Sequence, residues 1–478
     1  MPRPRMTAAT MAARSESSST ALPGSRIRSP GVEESEFQTT LDVMLESEAT
    51  FPATRVAALA RWQAFLPQAT RYGALRNQVV PGHPHVTRLS PALRARLVTT
   101  EALVGSLLET CRFAAVEKLV QELVWRDYWK GWLELRPSVW SDYRAEVDRL
   151  RRQADPALLR RAEAVMAGQG GIAVLDGFTR ELIETGYLHN HARMWWAGYW
   201  IHVERLPWAL GADFFYRHLL DADPASNTLG WRWVAGLQTR GKAYLPRRSN
   251  LEKYCAANLL ADPTGLERID DSVVAAVALP DERPAERVAW KPLPDAPGIT
   301  EGSATPPGSW GLWVHGEDSS VEESALGQMR PEVLLSVFDA QRVAALGMAS
   351  RRIAYLKTAL ADGLARAGHH FQCPTESCET GEGLAEALSR VARERSLAGW
   401  VAMRPSVGPL ADAIPAIEAA LARDGRKVIW CRRRWDEHLW PQASAGFFGF
   451  WEKAQRRLAT QATALAQSRD PQQPELLF

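Results

Sequence analysis

The sequence predicts a multidomain α + α/β protein, an all-helical unit followed by a doubly wound, parallel-sheet α/β unit. Three observations carry this. Across residues 36–261 apolar residues recur at intervals of three and four, the period of a helix buried along one stripe. Across 262–309 the chain turns rich in proline, glycine and charge (ALPDERPAERVAWKPLPDAPGITEGSATPPGS), which suits an extended linker. Across 310–460 short apolar runs alternate with helical stretches, the signature of strand–helix–strand units.

The elements follow in order. Residues 1–35 are rich in arginine, serine and alanine with few acids; this superficially resembles a transit peptide and is read as a disordered tail. TRVAALARWQAFL and VEKLVQELVWRDYWKGWLEL have helical spacing. Asp176 precedes FTRELIETG as an N-cap, with Gly186 at that helix's end, and Asp213 is a second N-cap before FFYRHLL. Beyond the linker, GLWVH, VLLSVF, HHFQC, LAGWVAM and KVIWC are the candidate strands. AYLKTALADGLARAG and AIPAIEAALARDG are helices between them, and 461–478 reads as a flexible tail. No glycine-rich phosphate loop follows any strand.

Composition bounds the function. With 46% hydrophobic and 23% charged residues the chain is ordinary for a soluble globular protein, and a net charge of +2 leaves any nucleic-acid affinity to local patches. Five cysteines are an odd number spread along the chain; they form no disulfide framework and point to a reducing, cytoplasmic setting. Cys373 and Cys378 lie close, but no second pair completes a metal site. No apolar run reaches the roughly 18 residues of a membrane span. Nineteen tryptophans are the anomaly. Indoles packed in a helical core would explain them, and so would stacking or redox work.

The stretch Tyr187–Trp233 is the densest in chemistry. It sets Asn190, Arg193, Asp221, Asp223 and Asn227 among six tryptophans, and buried polar groups in such number require partners. HNHARM, DADPASN and GWRW in this stretch resemble the flavin-binding core of the photolyase/cryptochrome family. GLWVHGEDSS resembles the start of that family's α/β domain, and WDEHLWPQASAGFFGFWEKAQRRL its end. In the family the α/β domain comes first, so the resemblance implies a chain with its two domains exchanged in order.

What the resemblance implies is specific. FAD is the expected cofactor, bound within the helical domain. Tyr72, Thr87, Arg88, Leu89 and Ser90 would take its diphosphate and ribityl side, with Val86 standing where the family has a hydroxyl. Arg193 and Asp221 would pair beside the ring system, Asp223 would meet its pyrimidine edge, and Asn227 would face N5. Taken singly these residues also read as a buried ion pair and helix caps.

Glu122, Trp125, Asn190, Met194 and Trp233 match the family's pocket for a flipped pyrimidine dimer. Glu122 and Trp125, three apart, share a helix face; alternatively Trp125 is core and Glu122 pairs with Arg126. Trp231 and Trp208 match an electron-transfer chain, with Trp140 a candidate for its surface end. Arg240, Lys242, Arg247 and Arg248 would face DNA phosphates, although they could equally be a solvated surface. A second, antenna chromophore is doubtful, because Gly316, Glu317 and Asp318 replace the arginines that follow the family's first strand. The four-cysteine iron–sulfur cluster of some relatives is excluded, since the helical domain offers only Cys111 and Cys255. The implied activity is blue-light-driven repair of cyclobutane pyrimidine dimers in DNA by a monomeric, FAD-dependent lyase. The alternative is a cryptochrome-like photoreceptor without repair.

Overall fold

The computed structural model describes residues 51–239, 242–279, 284–296 and 309–467, with side chains to residue 458. The expected tail at 1–35, the start of the helical unit, Arg240 and the end of the linker lie outside the described residues. Its helices are α1 (Arg55–Phe65), α2 (Tyr72–Leu75), α3 (Ser90–Arg94), α4 (Thr100–Thr110), α5 (Phe113–Glu134), α6 (Ser138–Gln153), α7 (Pro156–Met166), α8 (Ala173–Thr185), α9 (Asn190–Gly198), α10 (Trp208–His218), α11 (Pro224–Val234) and α12 (Arg248–Tyr254). Then come β1 (Trp310–Val314), β2 (Val333–Asp339), α13 (Ala340–Ala345), α14 (Ser350–Phe371), β3 (Thr375–Thr380), α15 (Leu384–Glu394), β4 (Gly399–Met403), α16 (Ile414–Ala422), β5 (Lys427–Cys431), α17 (Arg434–Leu439) and α18 (Phe447–Gln467). An all-helical unit followed by a doubly wound α/β unit is thus the architecture.

Local chemistry sets many of the boundaries. Thr54 caps α1 by accepting from the Ala57 amide, and Gly186 ends α8 in the left-handed region, as the sequence predicts. The two aspartate caps do not form. Asp176 sits inside the first turn of α8 and reaches back to the amides of Gly170 and Gly171 at 2.7 and 2.9 Å. Asp213 is in mid-helix, buried, and held by Arg144, Arg151 and Arg217. For Asp176 the amides of the preceding loop, and for Asp213 three arginines, outcompete the cap.

The five strands are all parallel in the order β3-β2-β1-β4-β5. Four coincide with predicted runs. HHFQC is not a strand: α14 continues through Phe371 and stops at Gln372 in the left-handed region, and the strand is the following TESCET. That edge strand is mostly exposed, so it lacks the apolar run that marks β1 and β4. The last helix extends to Gln467, so the expected flexible tail begins inside a helix.

The two units are joined by charge and aromatic packing. The segment after β1 docks on the turn after α3: Ser319 and Ser320 hydroxyls donate to the Ala95 and Arg96 carbonyls at 2.7 Å. Asp318 accepts from Arg96 at 2.9 Å and from Arg433 at 2.6 and 2.8 Å. Phe447, Phe450 and Trp451 of α18 pack in one cluster with α4 and α5. The start of the expected linker instead joins the helical unit, with Leu266 and Ile269 of a short 3-10 turn and Val274 in its core. Residues 284–296 are extended and held down by the Arg432 guanidinium 4.4 Å above Trp290, whose indole donates to Glu437.

Candidate functional site

The site grows from the turn between α10 and α11, which carries Asp221 and Asp223 (LLDAD). Asp223 is the N-cap of α11: its Oδ1 accepts from the Ala225 and Ser226 amides at 3.0 Å, and Lys130 Nζ of α5 lies 2.7 Å from its Oδ2. Asp221 takes a bidentate pair from Arg193 of α9 at 3.1 and 2.9 Å, and Arg193 Nε donates to the Leu188 carbonyl. Burial alone would raise both carboxyls. Arg193 with the Ser90 hydroxyl, and Lys130 with Arg126 and Arg94, instead hold them below the usual carboxylate range. The expected Arg193–Asp221 pair is therefore formed.

Asn227 lies one helical turn after Asp223, and its side-chain amide donates to the Ala212 carbonyl at 2.8 Å, which fixes the rotamer and leaves Oδ1 as its remaining acceptor. The Thr87–Ser90 segment leads into α3. Arg88 there adopts φ 54°, a left-handed conformation that costs a non-glycine residue energy and is held by its surroundings. Arg61 donates to the Thr87 carbonyl at 2.7 Å, and the Thr87 hydroxyl accepts from the Leu89 amide. Leu89 is fully buried. Tyr72 begins α2, and burial lifts its phenol above the usual range.

Two buried cationic atoms here have no hydrogen-bond partner: Nε of Arg88 and Nη2 of Arg126. An unpaired buried donor of this kind is costly, and an anionic oxygen such as that of a diphosphate is the kind of acceptor that would satisfy it. The donor set thus fits FAD. A cavity between α3, α4, α5 and α17 is lined by Arg126, Asp127 and Lys130 together with Glu101, Arg433 and Asp436; none of the residues expected to contact the flavin lines it. Arg126 and Lys130 are site residues that the sequence reading missed. Their spacing of four from Glu122 places all three along one helical stripe, and that periodicity is the signal that was available.

The expected substrate group is dispersed. Glu122 does not pair with Arg126; Arg76 and Lys118 hold it at 3.0 and 3.3 Å. Trp125 stacks face to face on Phe447 with ring centroids 3.5 Å apart, with Tyr128 and Trp129 edge-on. Asn190 is exposed at the start of α9, with Met194 half-buried one turn on. Trp233 packs on Tyr244, apart from the Trp125 cluster.

Trp231 is buried, edge-on to Phe215 and Trp196 at 5.2 and 6.0 Å, and Trp196 stacks on Trp200 at 5.3 Å. Its ring passes so close to Gly211 that a methyl group there would overlap it. Trp208 stacks instead on Tyr143 at 5.5 Å. Trp140 is 2% exposed and donates to Asp412, so it is not a surface terminus. Of the basic group, Lys242 is exposed, Arg247 donates to the Asp271 carbonyl, and Arg248 is paired with Glu252 at 2.7 Å. Glu317 and Asp318, which replace the expected antenna arginines, pair with Arg94 and Arg96 across the interface, and Asp318 also pairs with Arg433 within its own unit.

Comparison with known proteins gives a consistent result. Residues 119–257 match the family described as the FAD binding domain of DNA photolyase. The chain is 37% identical to the deoxyribodipyrimidine photo-lyase of Streptomyces griseus over 154 residues, 32% of either chain. It is 28% identical to that of Escherichia coli over 228 residues, 46% of this chain and 47% of the relative. Among solved structures, a Synechocystis cryptochrome is 22% identical with a TM-score of 0.39, covering 47% of this chain and 49% of that one. The chain thus spans about a third to a half of the length of these curated relatives. FAD is the cofactor that the family match indicates.

Proposed function

We propose that this protein is a light-driven repair enzyme for cyclobutane pyrimidine dimers in DNA. The observation that carries the reading is the Asp221–Asp223 turn: two buried carboxylates neutralised by Arg193 and Lys130, with an unpartnered donor on Arg126, all within the segment that matches an FAD binding domain. Bound in reduced form, FAD would supply the absorption of blue light and the electron that splits the dimer ring.

The chain's own residues do the rest. Arg193 and Asp221 would hold the flavin beside its ring system, with Asp223 toward its pyrimidine side and the Asn227 amide toward N5. Thr87, Arg88, Leu89, Ser90 and Tyr72, joined by Arg126, would hold the diphosphate and ribityl chain. On this reading Trp125 and Trp233 would stack on the extruded bases, Glu122 would hydrogen-bond their edges and Asn190 and Met194 would line the floor. That requires Glu122 to leave Arg76 and Lys118, and Phe447 to leave Trp125, when DNA binds. Extrusion is cheapest at a damaged, badly paired site, which gives selectivity for the lesion. Trp231 and Trp208 carry the electron-relay role. Lys242, Arg247, Arg248 and Arg240 meet backbone phosphates, an interaction that weakens with salt.

One observation favours the second reading, a flavin photoreceptor without repair: Phe447 covers a face of Trp125 that a flipped base would use. The deciding experiment compares wild type with Glu122→Gln and Trp125→Ala. The repair reading expects both variants to keep FAD and lose light-dependent dimer splitting. A wild-type protein that retains FAD, responds to light and never splits a dimer supports the photoreceptor.

A further inference from the structure

The turn that carries Asp221 and Asp223 is gripped from outside the helical unit. Ala222, between the two carboxylates, presents one carbonyl oxygen to two guanidinium groups. Arg94, from α3, donates through Nε at 3.3 Å. Arg352, from the long α14 of the α/β unit, donates through Nη2 at 3.2 Å, while its Nη1 donates to the Tyr216 carbonyl and its guanidinium lies 4.5 Å over the Tyr216 ring. Arg352 is 1% exposed.

The other side of the turn is tied down in the same way. Lys130, which faces Asp223, also donates to the Ser406 hydroxyl at 2.8 Å, and Ser406 donates to Glu317, the partner of Arg94. Two carboxylates two residues apart and out of water repel each other, and a backbone free to relax would move them apart or protonate one. A planar guanidinium donating to two carbonyls at once fixes the backbone between them in a way a point charge cannot.

We infer that the α/β unit is a positioning element of the flavin site, with Arg352 as the positioning residue that locks the Leu219–Asp223 turn. This rests on the flavin reading above. It gives the C-terminal unit a role that requires no second chromophore, since the segments at the carboxyl ends of β1 and β4 serve this grip.

The test uses the full chain and measures the FAD dissociation constant beside the melting midpoint. Arg352→Met should weaken FAD binding by about tenfold or more, the worth of a charge-assisted hydrogen bond. Arg352→Lys should restore it in part. Leu360→Ala, in the α/β core on the same helix, should lower the midpoint while leaving the dissociation constant unchanged. The inference is overturned if Arg352→Met binds FAD within about twofold of wild type. It is equally overturned if Leu360→Ala weakens binding as much at a matched loss of midpoint. Should Arg352→Met not fold, Arg352→Lys decides alone, and unchanged affinity there overturns the role. A wild-type chain that takes up no FAD would sink the flavin reading itself.

Discussion

Breaking the Arg193–Asp221 pair from its two ends should have unequal costs. The Asp221 side chain is 5% exposed and that of Arg193 is 21% exposed. In Arg193→Met the carboxylate is left buried with the Ser90 hydroxyl as its remaining side-chain donor, and the Leu188 carbonyl loses its partner too. Stranding a buried charge in this way costs about 3–5 kcal/mol. In Asp221→Asn the amide oxygen still accepts one bond and the guanidinium keeps some water, so about 1–2 kcal/mol is expected.

The two variants should also differ in their response to pH. In the wild type Asp221 is held below its unfolded value, so its contribution is present above about pH 4 and is lost as pH falls through the folded value. In Arg193→Met, burial acts without the opposing cation and lifts the carboxyl. Protonation then relieves the variant as pH falls, and the gap to wild type narrows toward about pH 4. Urea unfolding followed by tryptophan emission, at neutral pH and near pH 4, measures this. A cost for Asp221→Asn equal to or above that of Arg193→Met at neutral pH, or a gap independent of pH, would refute the reasoning.

Three further outcomes are expected. Trp231→Phe should slow flavin photoreduction in steady blue light; if Trp196→Phe slows it more than Trp208→Phe does, the relay follows the ring contacts rather than the family pattern. Asp127, pushed up to about 7 by burial and then by Asp436, binds a proton more tightly folded than unfolded. The contribution of Asp127 to stability should therefore decline from about pH 4 to pH 7, so that Asp127→Asn gains on the wild type as pH rises through that range in parallel melts; a difference independent of pH would contradict it. Phe447→Ala, which removes a buried ring from Trp125, Tyr128, Phe450 and Trp451, should cost about 3–5 kcal/mol in urea unfolding.

Periodicity made the helical unit and four of five strands legible, whereas composition hid the packing of Leu266, Ile269 and Val274 into the helical core. β3 was hidden because an edge strand such as TESCET needs no apolar face, and the apolar character before it belongs to the end of α14. Asp176 and Asp213 look like caps because capping is the local chemistry of aspartate. Asp176 instead ties back to loop amides five and six residues before it, and Asp213 is held by Arg217 on its own helix and by the distant Arg144 and Arg151. At the site the Arg193–Asp221 pair was readable from the family motif. The partners of Glu317 and Asp318 were not, because Arg94 and Arg96 stand more than 200 positions earlier in the chain. Arg352 on Ala222, and Phe447 on Trp125, are likewise contacts between units that no window of sequence contains.

The most direct test is light-dependent repair by the wild-type protein. The purified, reduced protein is mixed with an oligonucleotide carrying one thymine dimer, and the recovery of thymine absorbance is followed in blue light and in the dark. The account predicts recovery in light alone. Absence of recovery in light from a protein that carries FAD would contradict it.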